Sequence, residues 1–247
     1  MIRCLSRLLV STLLLTGGVF GAYAASSCPG DLNNDGEVTV DEIVRAVGAA
    51  LDGCPPQSAL SALLQTGQTQ CDPGSGQLGA CAGASPAGQD GALQVGMPAS
   101  YTDNNDGTVH DNVSGLTWEK LSDDGSIHDW DNQYTWQQAF DMKIAALDAA
   151  PCFAGHCDWR LPNRRELESL VNAGVDSPAV DGVFNIGCLP GCHVADCSCT
   201  QLDNYWTSTT YHAIPGSAWC VNGGTGTVDG FDKTIPAFYV RAVRGGR

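Results

Sequence analysis

The sequence predicts an α+β domain over residues 98–247. Strand-like runs broken by turn signals open this stretch, two helical segments follow, and strand-like runs return after Tyr205. The opening reads YTDNNDGTVHDNVSGLTWEK, where Asn-Asp-Gly and Asn-Val-Ser-Gly separate short runs, the pattern of a hairpin. Thr135 with Gln138, and Asn163 with Glu166, stand at capping-box spacing and predict two helix starts. Ala139, Ile144, Ala145 and Leu147 are the apolar positions of the first helix; Leu167, Leu170 and Val171 are those of the second. YWTSTTYH, SAWCVNG, GTVDGF and AFYVRAVRG then predict a terminal meander.

Three segments precede this body. Arg3 and Arg7 lead an apolar run from Leu8 to Phe20, and Ala22-Tyr23-Ala24 supplies a small-x-small cleavage signal, so residues 1–24 are expected to be a signal peptide. The run falls short of the roughly 20 residues of a membrane span, and no later run is long enough, so no membrane span is expected. A lipidated Cys28 is the weaker alternative, because Ala25-Ser26-Ser27 lacks a leucine before it. The expected location is secreted, periplasmic or cell-surface.

Residues 31–42, DLNNDGEVTVDE, place oxygen-bearing side chains at positions 1, 3, 5, 7, 9 and 12 of a loop: Asp31, Asn33, Asp35, Glu37, Thr39 and Glu42. Gly36 stands at the sharp turn and Val38 at the apolar position 8. This alternation wraps six or seven oxygens around a hard cation at about 2.3–2.6 Å, and Ca2+ is the expected cofactor. Asp31, Asn33 and Asp35 would bind by side chain, Glu37 by its carbonyl, Thr39 directly or through water, and Glu42 with both oxygens. Ile43, Val44, Val47, Ala50 and Leu51 then recur at helical spacing, and Gly53 with Pro55-Pro56 ends the helix. Residues 28–54 therefore read as a small helical EF-hand-like calcium module. Residues 55–97, with their Gly, Gln, Ser and Ala, read as a connector or small hairpin.

The formal charge is −15, and removal of the leader with Arg3 and Arg7 makes it −17. Such a chain repels nucleic acid and anionic membranes and attracts cations, so no nucleic-acid partner is expected. Twelve cysteines, of which eleven remain once Cys4 leaves with the leader, predict disulfides in an exported chain. Sequence neighbours suggest Cys28–Cys54, Cys71–Cys81 and Cys152–Cys157. Cys188, Cys192, Cys197, Cys199 and Cys220 remain, an odd number that leaves one unpaired. A zinc site in CLPGCHVADCSC, through Cys188, Cys192, His193, Cys197 or Cys199, is the alternative; its spacing is unfamiliar and the compartment favours oxidation.

GDLNNDGEVTVDEI resembles one dockerin repeat, with Glu42 where dockerins carry aspartate and with the second repeat absent. DNNDGTVHDNVSGLTWEK, TWQQAF, DWRLPNRRELESLV, YWTSTT, AWCVN and YVRAVRG, in that order, resemble the Lcl C-terminal-like family, named after the C-terminal domain of a bacterial collagen-like adhesin. The resemblance covers roughly residues 98–247. WRLPNRRELE is also similar to the corresponding phrase of C-type lectin-like domains, including formylglycine-generating enzymes. It implies a C-type lectin-like fold and binding at a cell surface or matrix, with glycans as the ligand type. The adhesin's sulfated polyanions do not carry over, because Arg160, Arg164 and Arg165 are the densest basic group here. Of these, Arg160 is expected to pair with a buried carboxylate or carbonyl, and Arg164 and Arg165 to sit on an exposed helix start. The redox-active cysteine pair of the formylglycine-generating enzymes also has no counterpart, since Cys220 is the only late cysteine.

His110, His128, His156, His193 and His212 stand in no catalytic motif, and Asp123, Asp124, Asp129 and Asp131 read as a solvated turn. Trp118, Trp136, Trp159, Trp206 and Trp219 are expected in the core. Trp130, with Tyr211 and His212, is the candidate ligand surface. The expectation is an exported, non-catalytic, calcium-binding surface or adhesion protein that recognises an extracellular glycan. The alternative is an assembly module docking onto another exported protein through the calcium loop.

Overall fold

The computed structural model describes residues 63–245 apart from 83, 85, 236 and 237, together with two short strands, β1 (Ile2–Arg3) and β2 (Glu37–Val38). The chain divides into two units, Met1–Leu60 and Ser61–Arg247. In the first, β1 and β2 pair antiparallel, with Ile2 opposite Val38 and Arg3 opposite Glu37. The rest of the leader, Cys28, Cys54, the stripe from Ile43 to Leu51, and the oxygen-bearing side chains of the calcium loop lie outside the described residues.

The second unit is α+β, with two antiparallel sheets and short helices. β3 (Tyr101–Asp103), β4 (Thr108–Asp111) and β5 (Leu116–Glu119) form three sides of the first sheet, and β9 (Val243–Gly245) completes it beside β5. The opening hairpin is thus a three-stranded meander, because Val-Ser-Gly provides a second turn. β6 (Asn204–Thr210), β7 (Ser217–Asn222) and β8 (Val228–Asp232) form the second sheet. The expected terminal meander is correct up to β8. The last strand leaves it and pairs Trp118 with Val243 and Leu116 with Gly245.

Both capping boxes form. Thr135 accepts from the Gln138 N–H at the start of α2 (Trp136–Gln138), and Asn163 accepts from the Glu166 N–H at the start of α4 (Arg164–Glu168). Between α2 and α3 (Ala145–Asp148) the helix widens into a π segment, Ala139–Ile144. A π turn advances the side chains by one position relative to an α turn. Ala139, Ile144 and Leu147 face the core as the spacing predicts, but Ala145 is exposed and Lys143 is buried instead.

Two apolar clusters hold the unit. One gathers Val109, Leu116, Trp118, Leu170, Phe184 and Val243; the other gathers Tyr134, Leu147, Trp159, Trp206 and Phe238. Trp118, Trp159 and Trp206 are buried as expected, whereas Trp136 and Trp219 are half-buried. Trp206 Nε1 donates to the Tyr134 carbonyl at 2.8 Å, so its polar edge is satisfied inside the core.

Residues 63–97 are braced internally by a disulfide and by a bridge between Leu64 and Met97, and the Ala173 N–H ties them to the rest of the unit by donating to the Thr66 carbonyl at 2.7 Å. One turn of helix, α1 (Asp90–Leu93), lies so close to the extended segment before it that a Cβ on Gly91 would meet the Gln70 carbonyl oxygen at 2.1 Å. Cys71–Cys81 and Cys152–Cys157 form as the sequence suggests. The remaining cluster is oxidised to Cys188–Cys199 and Cys192–Cys197, and among the described residues Cys220 is a buried free thiol.

Candidate functional site

A buried charge network fixes the floor of the candidate site. Glu119, at the end of β5, is fully buried. Lys143 Nζ lies 2.5 Å and His128 Nδ1 2.7 Å from its Oε1, while the Ala242 N–H donates to Oε2 at 3.0 Å. Burial pushes this carboxyl upward, but the Lys143 charge and the hydrogen bonds from His128 and Lys143 outweigh it and hold the group at about 2. Lys143 also donates to the Ile127 carbonyl at 2.6 Å. One lysine thereby clamps both the core carboxylate and the loop 121–132 above it. Arg241 is buried beside them and donates to the Glu119 carbonyl at 2.9 Å and the Cys199 carbonyl at 2.6 Å.

The loop 121–132 is shaped by its own carboxylates. Asp124 Oδ1 accepts from Ser122 Oγ at 2.8 Å and from the Ser126 N–H at 2.9 Å, and Asp129 accepts from the N–H groups of Gly125 and Asp131 at 2.6 and 2.9 Å. Burial raises the Asp124 carboxyl, but the hydrogen bonds from Ser126, Ser122 and His193 overcome this and hold it far below the usual carboxylate range. The disulfide loop 186–199 lies against this turn. The Asp123 N–H donates to the Cys192 carbonyl at 3.0 Å, the Gly191 N–H donates to the Asp123 carbonyl at 2.6 Å, and His193 Nδ1 meets Asp124 Oδ2 at 2.6 Å. Gln201 Nε2 donates to Asp131.

These ties bring carboxylate oxygens of Asp123, Asp129 and Asp131 within 4.8 Å of one another. Such a set offers acceptors to hydroxyl donors or oxygen ligands to a hard cation. The acidic turn is therefore a convergent cluster as well as a solvated face. Its formation depends on the loop 186–199, whose pairing the sequence leaves open. Next to it, residues including Ser126, Asn132, Gln133 and Met142 line an open groove of about 600 Å³.

The predicted ligand residues fall in two settings. Trp130 is half-buried between Asp129 and Asp131, packs on the first apolar cluster, and donates its N–H to the Ser122 carbonyl at 2.8 Å. Its buried Nε1 has no hydrogen-bond partner in the described unit. Tyr211 instead stacks on Trp219 of β7 with ring centroids 4.5 Å apart, and exposed His212 follows it. The Arg164 guanidinium also lies over the Trp219 ring, 4.3 Å from its centroid. Arg164 is thus half-buried rather than freely exposed. Arg160 grips Glu166 through two 2.8 Å bonds and the Gly245 carbonyl at 2.9 Å, so it pairs with a carboxylate and a carbonyl as expected, but a half-buried and an exposed one rather than a buried one. The calcium-loop residues Asp31, Asn33, Asp35, Thr39 and Glu42 lie outside the described residues, and of Glu37 only the backbone is described, in β2.

The second unit is thus a disulfide-braced α+β domain whose two sheets carry an acidic loop surface. The family model of the Lcl C-terminal domain matches residues 107–244, more than half of the chain, and the chain belongs to that family. The match runs from the turn after β3 into β9, so it includes the acidic loop and both disulfides of the 186–199 loop. A search of curated proteins finds no match. Among the described residues there are four disulfides, the cysteine usage of a protein that folds in an oxidising setting. Among the described residues, no helix is long and apolar enough to cross a membrane.

Proposed function

We propose that this is an exported surface-recognition protein whose Lcl C-terminal domain binds an extracellular glycan without chemical turnover. The observation that carries the reading is the pairing of loops 121–132 and 186–199, which sets Trp130 among Asp123, Asp129 and Asp131 on a braced surface. An aromatic ring offers a stacking face to a pyranose, and carboxylates accept hydrogen bonds from sugar hydroxyls. Their negative charge selects neutral or amino-bearing glycans over sulfated polyanions. The two-sheet α+β architecture supports the C-type lectin-like assignment. Asp31, Asn33, Asp35, Glu37, Thr39 and Glu42 hold Ca2+ in the N-terminal module.

The dockerin-like phrase GDLNNDGEVTVDEI favours a second reading, calcium-dependent docking onto another exported protein. A glycan array run with and without chelator separates the two. Glycan binding that survives chelation supports recognition by the C-terminal domain. Absence of glycan binding, together with calcium-dependent capture of a protein partner, selects the docking reading.

A further inference from the structure

The loop 186–199 packs two disulfides against each other. Cys188 pairs with Cys199 and Cys192 with Cys197, and the sulfurs of Cys192 and Cys199, from different bridges, are 3.9 Å apart. The sulfurs of Cys192, Cys197 and Cys199 all lie within 4.8 Å of one another, with Cys188 bonded directly to one of them. A zinc ion bound to four thiolates at about 2.3 Å separates neighbouring sulfurs by about 3.8 Å. The cross-bridge contact between Cys192 and Cys199 already has about that length. Cys197 and Cys199 are fully buried, whereas Cys188 and Cys192 are half-exposed, which gives a reductant and an ion one side of approach. His193 is already engaged through Nδ1 by Asp124, so sulfur alone completes the set.

We propose that this loop is a reversible zinc site, in which Cys188, Cys192, Cys197 and Cys199 together bind one Zn2+ when both bridges are reduced. The reductant is a dithiol. Each disulfide takes two electrons and two protons from one dithiol, which leaves as its own disulfide. The four resulting thiols release four protons as four zinc–sulfur bonds form, giving a dianionic tetrathiolate centre. The loop then keeps its cross-link, now through the metal, and with it the two backbone hydrogen bonds that hold Asp123.

The test uses the full chain reduced with a phosphine, which takes oxygen from water as each disulfide gains two hydrogens. Co2+ replaces Zn2+ as the spectroscopic probe. One equivalent should give tetrahedral ligand-field bands and sulfur-to-cobalt charge transfer, and Zn2+ should bleach both. The oxidised chain should give neither. Paired serine substitutions at Cys28/Cys54, Cys71/Cys81 and Cys152/Cys157 should leave the spectrum intact, while Cys192→Ser with Cys197→Ser should abolish it. Cys188→Ser alone should retain one cobalt with weaker charge transfer, and circular dichroism on each reduced sample reports whether the domain is folded. Absence of charge transfer in the reduced chain, a spectrum unchanged by loss of Cys192 and Cys197, or thiolate binding seen only in unfolded samples overturns the proposal.

Discussion

Replacing Lys143 with methionine removes the cation that neutralises a fully buried carboxylate while keeping most of the side chain's volume. Lys143 Nζ lies 2.5 Å from Glu119 Oε1, and both side chains are essentially inaccessible to water. Breaking such a pair on one side costs about 3–5 kcal/mol, because the remaining charge is stranded. The native carboxyl gives a second route to the magnitude. It is held at about 2 instead of 4.5, which corresponds to about 3 kcal/mol of preference for the charged form, good only to order of magnitude. A depressed carboxyl contributes its stability above the unfolded-state value near 4.5 and loses it as pH falls toward 2. In Lys143→Met the carboxyl rises, so the deficit should be largest at pH 7 and should shrink on acidification. Urea unfolding of both proteins at several pH values measures it. Glu119→Gln combined with Lys143→Met should recover part of the loss, since neither position then carries a buried charge. A deficit below about 1 kcal/mol, a deficit independent of pH, or a double variant no more stable than the single one would refute the reasoning.

Other outcomes follow from the same structure. Removing Cys152–Cys157 should cost about 2 kcal/mol and removing Cys188–Cys199 about 3 kcal/mol on loop entropy, read as shifts in denaturation midpoint. Gly230→Ala places a Cβ 2.5 Å from the Tyr211 ring, so the Tyr211–Trp219 stack should open and tryptophan emission should change while the fold remains. Asn163→Ala removes the N-cap acceptor of α4 and should cost about 1 kcal/mol in urea unfolding. In the N-terminal module, Ca2+ should raise the unfolding temperature in calorimetry with an affinity near 10⁻⁴–10⁻³ M, about the range of extracellular modules, and Glu42→Ala should abolish that shift.

Features made by near neighbours in the chain were legible from the sequence. Thr135 with Gln138, and Asn163 with Glu166, exchange hydrogen bonds across three residues, so each capping box is written locally. Cys71–Cys81 and Cys152–Cys157 close short loops for the same reason. Features set by distant partners were not. Lys143 reads as a surface residue until Glu119, remote in sequence, is buried beneath it and the π segment turns it inward. Four cysteines allow three pairings, and only the packed loop selects Cys188–Cys199 with Cys192–Cys197. The pairing of β9 with β5 likewise follows from closure of the first sheet around Trp118. Asp123, Asp129 and Asp131 look like solvated charge until the disulfide loop and Gln201 pin the turn that carries them. Trp130 stands beside the acidic turn because the two are contiguous in the chain, whereas Tyr211 is stacked on Trp219, a partner the sequence does not name.

The central claim is that the surface around Trp130 recognises a glycan, and one comparison tests it most directly. The full chain and its Trp130→Ala variant are applied to the same glycan array, with circular dichroism confirming that both are folded. The account predicts that the wild-type chain binds a defined set of neutral or amino-bearing glycans. The variant should lose at least about tenfold in affinity for them, roughly 1.4 kcal/mol. Binding unchanged by the substitution, or wild-type binding confined to sulfated polyanions, would contradict it.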